Sequence, residues 1–229
     1  MTSSVAQALQ AVRDEIAHAA QRAGRDPKLV RLIAVSKGQS ADKIRLAYEA
    51  GQRDFGESYV QELQQKAASL ADLPDLCWHL IGHLQRNKAR HAVKLCHVIH
   101  SLDSTALASE LANRLRATGA PPLRALVEVN VGREPQKHGV LPEGLGELLD
   151  HVEQLPELRL TGLMTIPPNS DDPASALEHF RTLRELRDSH GGASRLPELS
   201  MGMSSDFEQA IQAGATWVRV GTAIFGARS

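Results

Sequence analysis

The stretch "RLIAVSKGQSADKIRLAYEAG", residues 31–51, shows the pattern that repeats along this chain of 229 residues. A short apolar run, 32–35, ends in Ser36 and Lys37, and a helical pattern follows that ends at Gly51. An apolar run of this length is typical of a strand that is buried on both faces of a parallel sheet. A lysine directly after such a strand needs an explanation, because a charged amine is costly to desolvate.

The same alternation of strand and helix continues along nearly the whole chain. Apolar runs of strand length lie at residues 31–36, 54–57, 77–82, 97–102, 123–131, 159–166, 197–201 and 217–221, and helical patterns lie at 41–50, 59–70, 85–95, 104–118, 142–154, 173–190 and 205–213. Eight such units behind an extra N-terminal helix predict an α/β fold, a single (β/α)8 TIM barrel. A doubly wound open sheet is the alternative, because periodicity does not show whether the sheet closes.

The absence of a linker or composition break predicts one domain over residues 1–229. Lys and Arg number 26 and Asp and Glu 27, so the net charge of -1 gives no electrostatic reason to expect nucleic acid or an anionic membrane as partner. No apolar run approaches the roughly 20 residues of a membrane helix. The acidic, amphipathic N-terminal segment is unlike a signal peptide. Cys77 and Cys96 lack metal or redox spacing, which favours a cytoplasmic protein with reduced thiols.

The loops after the last two strands carry the features of an anion site. The segment "SMGMSSDFEQAIQAG", residues 200–214, predicts a helix with Ser205 at the N-cap and Glu208 in a capping box. After strand 8, Gly221 lets backbone approach a ligand and Thr222 offers a hydroxyl. These loops are the recurrent phosphate site of TIM barrels, near a positive helix end. The alternative is that the glycines only form turns and the serines only cap.

Lys37 adds a reactive group to the same barrel mouth. Desolvation lowers the pKa of an amine at such a position and makes the neutral form available as a nucleophile. An amine opposite a phosphate cradle suits a phosphorylated aldehyde held as a Schiff base, and pyridoxal 5'-phosphate is such a compound. The spacing of Arg219 places its side chain inside the barrel beside the phosphate loop. A guanidinium stays protonated, so it would keep a facing pyridine nitrogen unprotonated.

Seven ordered segments resemble one known family, the pyridoxal phosphate homeostasis proteins of the YggS/PROSC group. They are "AVSK" (34–37), "FGESYVQE" (55–62), "WHLIGHLQRNKAR" (78–90), "VNVGREPQKHG" (129–139), "GLMTI" (162–166), "LSMGMSSDFEQAI" (199–211) and "VRVGTAIFG" (218–226). The resemblance covers nearly the whole chain. It implies a single barrel similar to the N-terminal domain of alanine racemase, with pyridoxal 5'-phosphate as the cofactor.

The resemblance also implies roles for individual residues. It makes Lys37 the Schiff-base lysine and Arg219 the partner of the ring nitrogen. The other implied cofactor positions are the phosphate-holding Ser204, Gly221 and Thr222, the ring-packing or mouth positions Met164 and Met201, and Ser58 on strand 2. Two features depart from the family pattern: Ser58 stands where the family usually has asparagine, and Gly38-Gln39-Ser40 replaces a commoner Thr-x-Pro. The first puts contacts to the cofactor ring in doubt, and the second predicts a looser loop.

Two classes of function fit these residues. A protein of this family would hold and deliver the cofactor without turnover of its own, with apo forms of cofactor-dependent enzymes as recipients. The alternative is an amino-acid racemase or related enzyme that uses Lys37 as a base. The racemase fold supplies its second base, a tyrosine, from another domain, and no such domain follows the eighth unit here. Tyr59 is the substitute to test, and a packing role is its ordinary interpretation. We therefore expect a monomeric holder of the cofactor.

Three further groups of residues carry weaker signals. His79 and His83 are four apart, but one falls in a strand and the other in a loop, so no metal site is predicted. The basic run at 85–94 is typical of a solvated helix face, with a docking surface for a partner or for a second phosphate-bearing ligand as the alternative. A polar network of Glu128, Asn130 and Lys137 would lie at strand 5.

Overall fold

A computed structural model describes residues 4–170 and 172–227 of the chain. In this part the strands are β1 (Arg31–Val35), β2 (Asp54–Glu57), β3 (Cys77–Leu80), β4 (Val98–Leu102), β5 (Leu123–Glu128), β6 (Leu158–Met164), β7 (Glu198–Ser200) and β8 (Trp217–Val220). Each strand pairs in parallel with the next, and β1 pairs with β8, so the sheet closes in the order β1 to β8. Closure confirms the predicted TIM barrel and excludes the open sheet.

Ten α-helices surround this barrel in the described residues. They are α1 (Val5–Arg22), α2 (Ala41–Glu49), α3 (Val60–Ser69), α4 (Ala89–Leu95), α5 (Thr105–Thr118), α6 (Leu145–Glu153), α7 (Pro173–Ser189), α8 (Gly192–Arg195), α9 (Phe207–Ala213) and α10 (Thr222–Phe225), with 3-10 turns at Pro27–Leu29, Arg86–Lys88 and Pro142–Gly144. The first three residues of the chain, which belong to the predicted N-terminal segment, lie outside the described part. None of the described helices is long and apolar enough to cross a membrane.

The apolar pattern of the chain explains this arrangement. In β4 every residue is buried, as a strand with helices on one face and the barrel interior on the other requires. In α5 the Ser104 side chain accepts a hydrogen bond from the Leu107 N–H at the first turn, and Leu107, Leu111 and Leu115 form one buried face. The largest apolar cluster therefore lies between the strands and the helices, while a smaller one of Val98, Leu126 and Met164 is separate from it.

The structure differs from the sequence prediction at the start of the seventh predicted helix. The helix α9 begins at Phe207 after Asp206, so Ser205 is not its N-cap. The carboxylate of Asp206 accepts a hydrogen bond from the Met203 N–H at 2.6 Å and closes the turn before the helix. Glu208 forms an ion pair with Arg22 instead of completing a capping box. The short helices α8 and α10 were not predicted, because four residues are too few to show a helical period.

Candidate functional site

The predicted cofactor residues come from five neighbouring strands of the closed barrel. They follow or end β6, β7, β8, β1 and β2, and they are Met164, Met201, Ser204, Arg219, Gly221, Thr222, Lys37 and Ser58. Because all strands are parallel, their C-terminal ends meet at one rim, where TIM barrels place their active sites. The fold therefore brings the predicted residues to one arc of the barrel mouth.

Lys37 lies in the turn after β1, and its side chain is half-buried. The preceding residue, Ser36, is fully buried, and its N–H donates to the Gly56 carbonyl at 3.0 Å. The Ser36 hydroxyl donates to the Glu57 carboxylate at 2.6 Å. The ammonium of Lys66 donates to the Ser36 carbonyl at 2.5 Å and to the Glu57 carboxylate at 2.6 Å. A buried ion pair thus fixes the backbone from which Lys37 projects.

The turn beyond Lys37 is also held by specific contacts. The Gly38 N–H donates to the Glu62 carboxylate at 2.6 Å, and the buried Gln39 amide donates to the Gly226 carbonyl at 3.3 Å. Ser40 is the N-cap of α2, where its hydroxyl accepts a hydrogen bond from the Lys43 N–H at 3.4 Å. Each of the three residues that stand in place of the Thr-x-Pro pattern thus makes a contact that anchors the loop, and whether the loop is looser than with that pattern stays a prediction.

The loop after β8 lies beside this turn, and the loop after β7 lies beside β8, where the Arg219 N–H donates to the Gly202 carbonyl at 3.0 Å. A Cβ added to Gly221 would stand 3.0 Å from the Val35 carbonyl oxygen, so the loop after β8 approaches the end of β1 closely. Thr222 is the first residue of α10 and is exposed, as is Ser204 after β7. Neither hydroxyl forms a hydrogen bond within residues 4–170 and 172–227. Both are thus accessible donors near the Lys37 turn, which fits a phosphate-bearing ligand.

Arg219 is a buried cation inside the barrel, with 3% of its surface exposed. Its guanidinium donates to the Ser200 hydroxyl at 2.8 Å and to the Thr165 carbonyl at 2.9 Å. Desolvation lowers the pKa of Arg219 to about 10, although the carboxylates of Asp206 and Glu128 oppose this shift. The side chain is therefore still a cation at neutral pH. Two of its five N–H groups donate these hydrogen bonds, which leaves donors for other acceptors.

Two carboxylates flank this cation. Burial raises the pKa of Glu128 to about 7, and the nearby carboxylate of Asp103 adds to the shift while Arg219 opposes it. Burial also raises the pKa of Asp206, against the stabilising hydrogen bond from the Met203 N–H and the charge of Arg219. The mouth thus combines one fixed cation with a carboxyl group that titrates near neutral pH.

Ser58 lies at the edge of a cleft of about 440 Å³ next to the mouth. The cleft is also lined by Tyr59, Gly82, His83, Lys88 and His138, among others. Ser58 is half-buried, and its carbonyl oxygen would stand 2.5 Å from a Cβ on Gly82, so the ends of β2 and β3 pack closely here. Tyr59 is 66% exposed.

The two methionines occupy different environments. Met164 is fully buried in the small apolar cluster with Val98 and Leu126. Met201 is fully buried in the large cluster that contains helix residues such as Ala210, and its N–H donates to the Trp217 carbonyl at 3.1 Å. Sequence reasoning places both at the mouth. In the structure Met201 is packed beneath the loop after β7, where it supports that loop, and is not exposed at the mouth.

Lys66 and Glu62 are the structurally important neighbours of Lys37 that sequence reasoning missed. The residues buried on α3 are Val60, Leu63 and Lys66, which recur at a helical spacing. A lysine on the apolar stripe of a helix, four residues after a glutamate, was therefore a signal in the sequence.

The two histidines of the "WHLIGH" segment separate, as the sequence predicts. His79 lies inside the barrel, where its ring contacts Asp54 and His100 at 2.9 Å each. His83 lies at the rim, with its Nδ1 3.1 Å from the Asp103 carboxylate. Its ring stacks on His138 with centroids 3.6 Å apart and an angle of 6° between planes. Potential ligand atoms of His83, Asp103 and His138 lie within 4.8 Å of one another, although an ion in the plane of both stacked rings would require one ring to turn.

Two residues of the predicted network at strand 5, Asn130 and Lys137, both contact Glu134. The Asn130 amide donates to the Glu134 carbonyl at 2.9 Å and thereby holds its own loop. Lys137 pairs with the Glu134 carboxylate at 2.5 Å and donates to the Pro167 carbonyl. In the basic run at 85–94, Arg86, Arg90 and Lys94 are exposed, as a solvated face would be.

Comparison with known proteins identifies the family. The model of the alanine racemase N-terminal domain matches residues 8–229. A protein of Pseudomonas aeruginosa named pyridoxal phosphate homeostasis protein is 49% identical over 227 residues, which cover 99% of this chain and 96% of the relative. The chain belongs to the family of pyridoxal phosphate homeostasis proteins. The family and the barrel that the resemblance implied are thus both confirmed.

Solved structures of one further relative agree with this assignment. The structure of PipY of Synechococcus elongatus without pyridoxal phosphate (PLP) has a TM-score of 0.87 and is 43% identical in sequence. The match covers 97% of this chain and 100% of PipY. The structure of PipY with PLP bound has a TM-score of 0.84 and 42% identity over the same shares of both chains. The backbone of this chain is therefore similar to that of PipY both without and with bound PLP.

Proposed function

We propose that this chain binds pyridoxal 5'-phosphate as a Schiff base on Lys37 and buffers or delivers the cofactor without turnover of its own. The observation that carries the proposal is the position of Lys37, in a braced turn beside the Gly221 loop at a barrel mouth. Condensation of the Lys37 amine with the cofactor aldehyde forms a carbon–nitrogen double bond and releases water. The name of the Pseudomonas relative and the bound state of PipY support this choice of ligand.

The residues around Lys37 fit the other parts of the cofactor. The hydroxyls of Ser204 and Thr222 and the close backbone approach at Gly221 would hold the phosphate. The Arg219 guanidinium would face the ring nitrogen and leave it unprotonated, because a cation disfavours a second positive charge beside it. Ser58 would contact the ring from β2. Met164 would pack beneath the site from inside the barrel, and Met201 would support the loop that carries Ser204.

Two observations favour a holder of the cofactor over an enzyme. Tyr59, the candidate second base, is mostly exposed and has no hydrogen-bonded partner that would orient it within the described residues. The relatives carry the name of homeostasis proteins and not that of an enzyme. A racemase that uses Lys37 as base remains the second candidate, because a braced lysine at a barrel mouth suits that chemistry as well.

The proposal includes several expectations about the protein in the cell. We propose a single domain over residues 1–229, a monomer, and a cytoplasmic location. Apo forms of cofactor-dependent enzymes are the proposed recipients. The near-neutral net charge of -1 supports neither nucleic acid nor a membrane surface as partner.

The experiment that separates the two candidates uses the purified protein loaded with one equivalent of pyridoxal 5'-phosphate. A holder transfers the cofactor to an apo enzyme, whose activity then appears, and exchanges no α-proton of an amino acid with deuterated water. Exchange that Tyr59→Phe abolishes would instead establish the enzyme. Tyr48→Phe is the control. Tyr48 lies on α2, away from the mouth, where its hydroxyl donates to Asp75 and its ring packs against the Arg53 guanidinium.

A further inference from the structure

A continuous row of hydrogen bonds crosses the barrel interior from its N-terminal end to Arg219. The Asp54 carboxylate lies 2.9 Å from His79 Nε2, and His79 Nδ1 lies 2.9 Å from His100 Nε2. His100 Nδ1 in turn lies 2.9 Å from the Ser200 hydroxyl, which accepts from Arg219 at 2.8 Å. Four side chains from β2, β3, β4 and β7 thus connect to the cation on β8.

The row is buried over most of its length. His79, His100 and Ser200 are completely buried, and only the Asp54 side chain, with 31% exposure, reaches the surface. Buried polar groups of this kind are costly unless every donor meets an acceptor. Each contact of the row therefore needs one donor and one acceptor. This requirement determines which atom carries each proton.

The two ends of the row determine the direction of every hydrogen bond. Arg219 has only donors, so Ser200 accepts from it. The one proton of Ser200 then points to His100 Nδ1, its other contact. A neutral His100 carries its proton on Nε2 and donates to His79, and a neutral His79 likewise donates from Nε2. The row ends at the Asp54 carboxylate, which has only acceptors. The Cys77 thiol, whose sulfur lies 3.4 Å from His79 Nε2, is a weak donor that also hydrogen-bonds to Asp54.

Charged groups around the row agree with two neutral imidazoles. Desolvation lowers the pKa of His79, and the cation of Arg124 adds to this shift, while the carboxylates of Asp54 and Glu198 oppose it. Desolvation also lowers the pKa of His100 well below its usual value, and the other charges that act on it are His79, Arg219, Arg124 and Arg31. Desolvation raises the pKa of Asp54, but His79, Cys77 and Arg31 together lower it below its usual value. An additional proton on either imidazole would put a hydrogen on the nitrogen that now accepts. Two donors would then face each other in one contact of the row.

Arg31 and Arg124 also argue against a metal ion at the lower end of the row. Asp54, Cys77 and His79 have potential ligand atoms within 4.8 Å of one another. Both guanidiniums act electrostatically on Cys77, and burial raises the pKa of its thiol to about 12. A divalent cation there would meet a protonated thiol and two guanidiniums that share one carboxylate, Glu198, so one positive charge of the pair stays uncompensated.

We propose that Asp54, His79, His100 and Ser200 are positioning residues that act through Arg219, as one polarised row with both imidazoles neutral and protonated on Nε2. Each donated hydrogen bond makes the next group a better acceptor, so the row strengthens the hold of Ser200 on the guanidinium. The row would thereby aim Arg219 at the mouth and keep its charge there. Only the consequence for the cofactor rests on the proposed function.

The test of the row itself uses the protein without cofactor. Nitrogen-15 NMR of the histidine and arginine side chains is recorded between about pH 5.5 and 8.5, the range in which ordinary imidazoles titrate. We expect His79 and His100 to keep one proton each, on Nε2, throughout this range. A proton on Nδ1 of either ring, or titration of either ring to a cation, would overturn the proposal.

The variant Asp54→Asn tests whether the row acts over its full length. Asp54 is partly exposed, so the substitution is compatible with folding, and it replaces the acceptor-only end with a neutral amide. We expect the Arg219 side-chain hydrogens to exchange with water about tenfold faster, as the loss of one net hydrogen bond would allow. Asp72→Asn, at an exposed ion pair with Arg45, is the matched control. Equal exchange at Arg219 in the two variants would contradict the proposal.

A second variant and the loaded protein separate this inference from the proposed function. Ser200→Ala, which removes one fully buried hydroxyl, is expected to release Arg219 as Asp54→Asn does. With pyridoxal 5'-phosphate bound, both variants should still form the Lys37 absorbance band, but the pH midpoint of ring protonation should rise. A band with an unchanged midpoint would overturn the role of the row, whereas no band in the wild type would overturn the proposed function and leave the NMR result standing.

Discussion

The Lys66 ammonium lies 2.5 Å from the carbonyl oxygen of Ser36, the residue directly before Lys37. The same ammonium also contacts the carboxylates of Glu57 and Glu62 at 2.6 Å each. Glu57 is completely buried, and Glu62 holds the N–H of Gly38 on the other side of Lys37. One buried lysine of α3 therefore braces both sides of the turn that presents the other lysine.

This brace predicts a large effect of Lys66→Met on stability. The substitution leaves the Glu57 carboxylate buried without its cation, which costs about 3–5 kcal/mol of the free energy of unfolding. Urea denaturation of the variant measures this loss. Lys94→Met, at an exposed position of α4, is the control. Adding Glu57→Gln to Lys66→Met should restore part of the loss, and equal stability of Lys66→Met and Lys94→Met would refute the brace.

The loop after β7 depends on a glycine. Gly202 has a φ of +92°, and a Cβ there would stand 2.5 Å from the Ala210 Cβ and 2.9 Å from the Phe207 Cα. Gly24 has a φ of +67° with nothing within 4 Å of an added Cβ. Gly24→Ala should therefore lower the free energy of unfolding only by the strain of a left-handed alanine, about 1–2 kcal/mol. Gly202→Ala should cost about 1–3 kcal/mol more because it also clashes. Thermal unfolding of both variants checks this, and equal losses would contradict the packing.

Glu128 predicts a pH dependence of stability in the protein without cofactor. The folded protein holds the Glu128 proton up to about pH 7, whereas the unfolded chain releases it near 4.5. The folded state therefore binds more protons in this window, and the free energy of unfolding falls as the pH rises from about 4.5 to about 7. The total loss is about 3 kcal/mol.

The variant Glu128→Gln lacks this titration and measures its contribution. We expect its Tm to equal that of the wild type near pH 5 and to exceed it by several degrees at pH 8, at about 2–4 °C for each kcal/mol. Glu49→Gln, at an exposed position of α2, is the control. A Tm difference that does not change with pH would show that Glu128 is not the titrating group.

The proposed phosphate contacts predict weaker cofactor binding in two variants. Ser204→Ala and Thr222→Val each remove one hydroxyl that would donate to a charged phosphate. Such hydrogen bonds contribute roughly 1.5–3 kcal/mol, so the Kd should rise about 10- to 100-fold. Fluorescence titration with pyridoxal 5'-phosphate measures it. Thr105→Val, at the first residue of α5, is the control because Thr105 has the same place in its helix. An unchanged Kd in both variants would place the phosphate elsewhere.

The periodicity of the chain predicts the barrel well, since all eight predicted strands overlap the observed ones. Closure is outside the reach of periodicity, because it depends on pairing between β1 and β8, whose residues are almost 190 positions apart in the chain. The predicted start of α9 was wrong for a local reason. Asp and Ser are both favoured N-cap residues, so residue type does not choose between Ser205 and Asp206. In the structure Asp206 precedes the helix without a side-chain cap bond to it, and its carboxylate accepts from the Met203 N–H instead.

The predicted site residues reach one rim because parallel strands present their ends together. What the sequence could not predict is which side chains support them. Lys66 reaches Ser36 from a neighbouring helix, and His100 reaches Ser200 across the barrel from a position 100 residues away. Such contacts depend on side-chain direction inside a closed sheet, which residue spacing alone does not contain.

The most direct test of the account is the visible absorbance of the purified protein with pyridoxal 5'-phosphate, before and after borohydride. The wild type and the control Lys28→Ala, at an exposed position before β1, should show a Schiff-base band that borohydride bleaches. Peptide mapping should then place the reduced label on Lys37, and Lys37→Ala should lack the band. A band of equal strength in Lys37→Ala, or no band in the wild type, would contradict the central claim.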